Sequence, residues 1–126
     1  MKVISTEKAP AAIGPYSQGY QAGNIVITSG QLPIVPATGE MPEGIVAQSE
    51  ASCKNIGAVL EAAGTSFDKV VKTTCFLKDV ARDFGAFNEV YAEAMGDAKP
   101  ARSCVAVKTL PKGVLCEVEL IAAVEE

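Results

Sequence analysis

Residues 100–124 read PARSCVAVKTLPKGVLCEVELIAAV, and the reading of this stretch decides the fold. It predicts two strands joined by a short turn. The first spans Arg102 to Lys108 and the second Val114 to Val124, with Leu110-Pro111-Lys112-Gly113 as the break. Strand side chains alternate between faces, so Arg102, Cys104 and Ala106 share one side and Ser103, Val105 and Val107 the other. In the second strand Val114, Cys116, Val118, Leu120, Ala122 and Val124 form one apolar face. Leu115, Glu117, Glu119, Ile121 and Ala123 form the other, with two carboxylates in its middle. Unpaired charge is expensive to bury, so those acids must meet water, a cation or a neighbouring subunit. Arg102 is a candidate partner for them, or an anchor for an anionic ligand. On pattern alone, all three also fit plain solvated surface charges.

Moving outward, Lys2 to Ser5 fits a short first strand. Residues 9–16 carry two prolines and a glycine and read as a fixed loop. Gly19 to Ala22 and Asn24 to Ser29 read as a hairpin turning at Gly23-Asn24. Ser29-Gly30 ends that hairpin, and Gly30 allows a close approach of backbone to another group. Residues 31–44 form a long loop. From Ile45 to Ala63 the period turns helical, with Val46, Cys53, Ile56, Leu60 and Ala63 on one stripe and Gly64 as the cap. Gly57 inside that helix costs about 1 kcal/mol relative to alanine, which implies close packing. Val70 to Lys78 reads as a strand. Asp79 is placed to cap a second helix, Val80 to Met95, with Val80, Phe84, Phe87, Tyr91 and Ala94 on its stripe.

The order is β-β-β-α-β-α-β-β. It predicts an α+β class: one domain over residues 1–126, a single mixed six-stranded sheet, and two helices packed on one face. The other sheet face mixes Thr74, Phe76, Leu115, Ile121 and Ala123 with Lys72, Glu117 and Glu119. A half-apolar open face predicts self-association.

Composition narrows the function. A chain of 126 residues with 48% hydrophobic and 21% charged residues is globular and holds one core. The net charge of −4 gives no basic field to attract nucleic acid. MKVISTEKAP has no apolar signal core, and no apolar run reaches roughly 18 residues, so neither secretion nor a membrane span is expected. Cys53, Cys75, Cys104 and Cys116 lack CxxC spacing and read as reduced thiols of a cytoplasmic protein. Histidine is absent, which removes Ser-His and Cys-His dyads and histidine metal ligands. Neither GxGxxG nor GxxxxGK[ST] occurs, and no metal site or cofactor is expected. A general base must come from Glu, Asp, Lys, Tyr or a terminus.

The stretch PARSCVAV…LPKG…CEVELIAA resembles the C-terminal signature of the RidA/YjgF family of reactive-intermediate deaminases. Three further segments resemble the family in order: APAAIGPYSQG at 9–19, ITSGQLP at 27–33 and VKTTCFLKD at 71–79. The similarity spans nearly the whole chain. It implies a homotrimer whose sheets face inward as a central β-barrel, with clefts between subunits. It also implies cofactor-independent hydrolysis of 2-imino acids, such as 2-iminobutanoate and 2-iminopropanoate, to 2-keto acids and ammonia.

Within that resemblance, Arg102 holds the substrate carboxylate, for which its planar fork is suited. Glu117 directs the water, with Glu119 as its rival on the same face. Tyr16, Ser29, Gly30, Phe87, Asn88 and Cys104 complete the substrate-binding set. Each has a plainer reading: Tyr16 as a loop anchor, Ser29 and Gly30 as a turn, Phe87 as core, and Cys104 as a packing thiol with no base to activate it. The loop at 96–100, GDAKP, is of a variable kind, and Asp97 near Arg102 bears on substrate range. Two rival functions remain. One is a carboxylate-binding sensor, for which Arg102 is needed and Glu117 is not. The other is an endoribonuclease or translation inhibitor, which the acidic charge and sparse aromatics disfavour.

Overall fold

The structure, a computed structural model, describes residues 1–125. Its longest ladders run through the strand formed by Cys116–Ala123 (β6). The alternation read in the sequence holds there. Cys116, Val118, Leu120 and Ala122 are buried, and the residues between them are half-buried. The other strands are β1 Lys2–Ile4, β2 Gly19–Ala22, β3 Ile25–Thr28, β4 Val70–Leu77 and β5 Ala101–Ala106. Two helices, α1 Ile45–Ala62 and α2 Val80–Met95, complete the fold.

All six strands form one sheet in the order β1-β2-β3-β6-β4-β5. Every pairing is antiparallel except β4 with β5. A parallel neighbour needs a long crossover, and α2 supplies it. β5 and β6, joined by a short segment in sequence, do not pair with each other, because β4 lies between them. Their linker crosses the end of β4, with a 3₁₀ turn at Pro111–Gly113.

Both helices pack on the face that carries Cys116 and Val118, so the core lies between them and the sheet. Under α2 it holds Leu77, Phe87, Tyr91 and Val118; under α1, Ile56, Leu60, Val70 and Leu120. Asp79 caps α2 as its type suggests, accepting from Arg82 N at 3.0 Å. Gly57 is closely packed: an added Cβ would lie 3.1 Å from Phe67 Cε2. The stripe on α1 differs at one end. Val46 is 50% exposed, and the inward positions of the early turns are the polar Gln48, Ser49 and Ser52. They are satisfied locally, Gln48 Oε1 accepting from Leu115 N at 2.7 Å. One turn on, Asn55 donates to the carbonyls of Leu32 and Ile34 at 2.9 and 2.8 Å and fixes the long loop to the helix.

Among the described residues no layer covers the opposite sheet face. A row of partners runs across it: Val3, Tyr20, Ile27, Ile121, Lys72 and Ala101. Val3 and Ile27 are more than half exposed. Among the described residues no helix is long and apolar enough to cross a membrane.

Candidate active site

The carboxylate of Glu117 stands on the open face of the sheet, where β6 runs beside the end of β3. Gly30 follows β3 there, and Gln31 is clamped to β6 by a two-way bridge with Val118, Gln31 N donating to Val118 O at 2.8 Å. That clamp brings the Gly30 backbone against the acid. A Cβ at position 30 would overlap Glu117 Oε2 and sit 2.7 Å from its Cδ. Glycine is required here for close approach, as the sequence suggested. Burial pushes the Glu117 carboxyl above its usual range, and the negative charge of Glu119 adds to the rise. Such a group is a better proton acceptor near neutral pH than an exposed glutamate.

Ser29 and Tyr16 reach the same place through the N-terminal loop. Ser29 Oγ donates to Ser17 O at 2.6 Å, and Ser29 N donates to Gln18 O at 2.9 Å. Gln18, almost fully buried, organises the loop. Its Oε1 accepts from Thr6 N, and its Nε2 donates to the carbonyls of Thr6, Ala9 and Pro10. Tyr16 projects from this held loop and is 54% exposed. Tyr16, Ser29, Gly30 and Glu117 line one cavity of about 750 Å³, together with apolar Ile13, Leu32 and Ile34, and with Lys112. A larger groove of about 860 Å³ runs along α1 beside Phe67 and holds none of the expected residues.

Arg102 is elsewhere. Its register partner on β4 is Thr73, which is buried on the helix face, whereas Glu117 is opposite Phe76 on the open face. The guanidinium sits at the sheet edge against α2. Nη1 donates to Asn88 Oδ1 at 2.7 Å, and the guanidinium carbon stands 4.7 Å from the Tyr91 ring centroid and 5.6 Å from that of Phe84. Two aromatic faces and one amide orient the fork. Tyr91 is itself held, its hydroxyl 2.7 Å from Thr73 Oγ1. Cys104, beside Arg102, packs its half-buried thiol against the core, and burial raises it.

The expected residues therefore form two clusters. Tyr16, Ser29, Gly30 and Glu117 stand together on one face. Arg102, Asn88 and Cys104 stand together on the other. Arg102 does not partner Glu117 or Glu119 within the chain, contrary to one sequence expectation, because the odd and even positions of the sheet point them apart. Phe87 is fully buried, and the aromatics on Arg102 are Phe84 and Tyr91 instead. Sequence reasoning also missed Gln18, Gln31 and Lys112. Among the described residues no three His, Cys, Asp or Glu side chains converge as a metal site requires.

Comparison with known proteins identifies the family and the fold. The model of the family described as Endoribonuclease L-PSP matches residues 6–124. A RutC family protein of Pyrococcus horikoshii is 53% identical over 122 residues, covering 96% of each chain. The 2-iminobutanoate/2-iminopropanoate deaminase of Escherichia coli K12 is 50% identical over 124 residues, again covering 96% of each. The crystal structure of the YjgF gene product of Escherichia coli superposes with a TM-score of 0.92 at 48% identity, over 98% of each chain. The chain belongs to the Endoribonuclease L-PSP (YjgF/RidA) family.

Proposed function

We propose that this protein hydrolyses reactive 2-imino acids, such as 2-iminobutanoate and 2-iminopropanoate, to 2-keto acids and ammonia, as a homotrimer with its sites between subunits. One observation carries the reading. Glu117 is a poised base on one sheet face with no arginine fork beside it, and Arg102 is an oriented carboxylate fork on the other face with no base. Each is the complement of the other, and a second copy of the chain can bring them together across the open, half-apolar face. The Escherichia coli relative, a 2-iminobutanoate/2-iminopropanoate deaminase, supports the same substrate class.

The chemistry follows from those two groups. Arg102 of one subunit holds the α-carboxylate and fixes the imine carbon over the neighbour's acid. Glu117 accepts a proton from water as the oxygen adds to the C=N carbon. The imine nitrogen takes up that proton to give the carbinolamine. Glu117 then accepts the carbinolamine hydroxyl proton and passes it to the nitrogen, so that the C–N bond breaks and ammonia leaves as C=O forms. Water is consumed, no electrons are transferred, and Glu117 ends as it began. The family's description names an endoribonuclease, but this chain has no histidine, a net charge of −4 and a single lysine lining its cavity. That offers little to a polyanion. Four free thiols accord with a reducing, cytoplasmic setting.

The test is a coupled assay. A pyridoxal-phosphate-dependent threonine dehydratase releases the enamine, semicarbazide competes for the imine, and keto acid release is followed. Wild type accelerates release, and Arg102→Ala and Glu117→Gln do not. Wild type that binds keto acid without accelerating release is instead a sensor. If Arg102→Ala fails while Glu117→Gln keeps full rate, the water belongs to Glu119.

A further inference from the structure

Lys112 is the only non-glycine residue among those described whose backbone lies in the left-handed region, at φ 57° and ψ 16°. That conformation is unfavourable for an ordinary L-residue, and glycine or asparagine is the natural occupant. Pro111 stiffens the turn on one side, and Gly113 at φ 68° continues it on the other. The turn is built so that position 112 points where it does, and the residue placed there is a lysine. Strain of this kind is commonest where the side chain has work at a site.

The site is at hand. Lys112 lines the same cavity as Glu117, Tyr16, Ser29 and Gly30, and it is the only cation that does. Among the described residues no carboxylate pairs with it. Nor is it one of the charges acting on Glu117, where the neighbouring charge is that of Glu119. Lys112 is thus a cation without a carboxylate partner among the described residues, at the lining of a cavity of about 750 Å³. Arg102 accounts for the α-carboxylate in the function proposed above, on which this inference rests, and Lys112 is left for another anionic group.

We infer that Lys112 is a specificity residue that fits the cavity to 2-imino and 2-keto acids whose side chain ends in a second carboxylate. Such a ligand places its α-carboxylate on Arg102 and its distal carboxylate on the Lys112 ammonium. The imine carbon stays over Glu117. An exposed ion pair of this kind is worth about fivefold in affinity and is weakened by salt.

Calorimetry with 2-oxoglutarate and 2-oxobutanoate as probes tests this on the full-length protein. The variants are Lys112→Met, which keeps the length and removes the charge, and Lys112→Gly, which also relieves the left-handed strain and so keeps the fold. Wild type should bind 2-oxoglutarate about fivefold more tightly, with the advantage fading at high salt. Both variants should lose that advantage and bind 2-oxobutanoate within about twofold of wild type. Equal affinity of wild type for the two probes, or a parallel loss of both in the variants, overturns the assignment. The readout is binding, so it stands apart from turnover. Wild type that shows the Lys112-dependent preference but hydrolyses no imine refutes the deaminase reading and keeps this one.

Discussion

Gly30→Ala is the sharpest perturbation the structure offers. The three atoms nearest to an added Cβ all belong to Glu117: Oε2 in outright overlap, Cδ at 2.7 Å and Cγ at 3.0 Å. Carbon atoms pack at about 3.5–4.0 Å, so the carboxylate must retreat by about 1 Å. The obstacle is the end of a flexible side chain, and Gly30 itself is not in the left-handed region. The fold can therefore accept the methyl group. Alanine gains about 0.4–1 kcal/mol from the unfolded chain, and an off-rotamer glutamate costs about 0.5–1.5 kcal/mol. Net stability should stay within about 1 kcal/mol of wild type.

Activity should not survive as well. A misplacement of about 1 Å at a reacting group costs on the order of 100-fold. Since Arg102 stands on the other sheet face, the loss should fall on kcat with KM little changed. The coupled dehydratase assay gives the rates and urea unfolding gives the stability. Gly85→Ala is the control. Nothing lies within 4 Å of its added Cβ on the exposed side of α2, so it should gain about 0.5–1 kcal/mol and keep full activity. Full kcat in Gly30→Ala would refute the role of the Glu117 position. Loss of the fold would refute the claim that a movable carboxylate is the sole obstacle.

Two further outcomes follow from the site. Asn88→Ala removes the acceptor that orients Arg102 Nη1, so KM should rise about tenfold with kcat nearly unchanged, and Asn88→Asp should restore part of the loss. Glu117 must be ionised to act as base, so the rate falls as pH drops through its raised pKa. Glu119→Gln removes the second cause of that rise, and the acid limb of the kcat/KM profile should move to lower pH. The same raised carboxyl weakens the fold as pH increases from the ordinary glutamate range through its folded value. Glu117→Gln should therefore flatten that slope in a pH series of unfolding midpoints.

Local chemistry made much of this legible. The alternation in β6 and the Asp79 cap of α2 needed only neighbours in sequence. So did the tight packing at Gly57, which the helix would otherwise reject. What sequence could not carry was strand order. The short segment between β5 and β6 leaves their neighbours open, and the parallel ladder of β5 with β4 forms because α2 returns the chain to the far side of β4. Without that order, the face shared by Arg102 and Thr73 could not be told from the face of Glu117, since a one-residue change of register reverses it. Gln18 and Lys112 were hidden for a related reason. A glutamine that holds a loop by four bonds, and a lysine in a left-handed turn, have no pattern of their own along the chain. The pairing of Gly30 with Glu117 is likewise set by the Gln31–Val118 bridge, between residues far apart in sequence.

The two-faced arrangement has a consequence that tests it without any substrate analogue. If each cleft takes Glu117 from one subunit and Arg102 from its neighbour, a variant lacking either is dead alone, yet the two can rescue each other. In a ring assembled from equal amounts of Arg102→Ala and Glu117→Gln chains, a cleft is intact when an Arg102→Ala subunit supplies the acid and a Glu117→Gln subunit supplies the fork. Random mixing gives that arrangement in about a quarter of clefts, so co-refolded protein should regain about a quarter of wild-type activity. The two proteins mixed without unfolding should regain it only as fast as subunits exchange. A site contained in one chain predicts no rescue at any ratio. No recovery from a co-refolded mixture of assembled oligomers would therefore show that Arg102 of one subunit and Glu117 of its neighbour do not share a cleft.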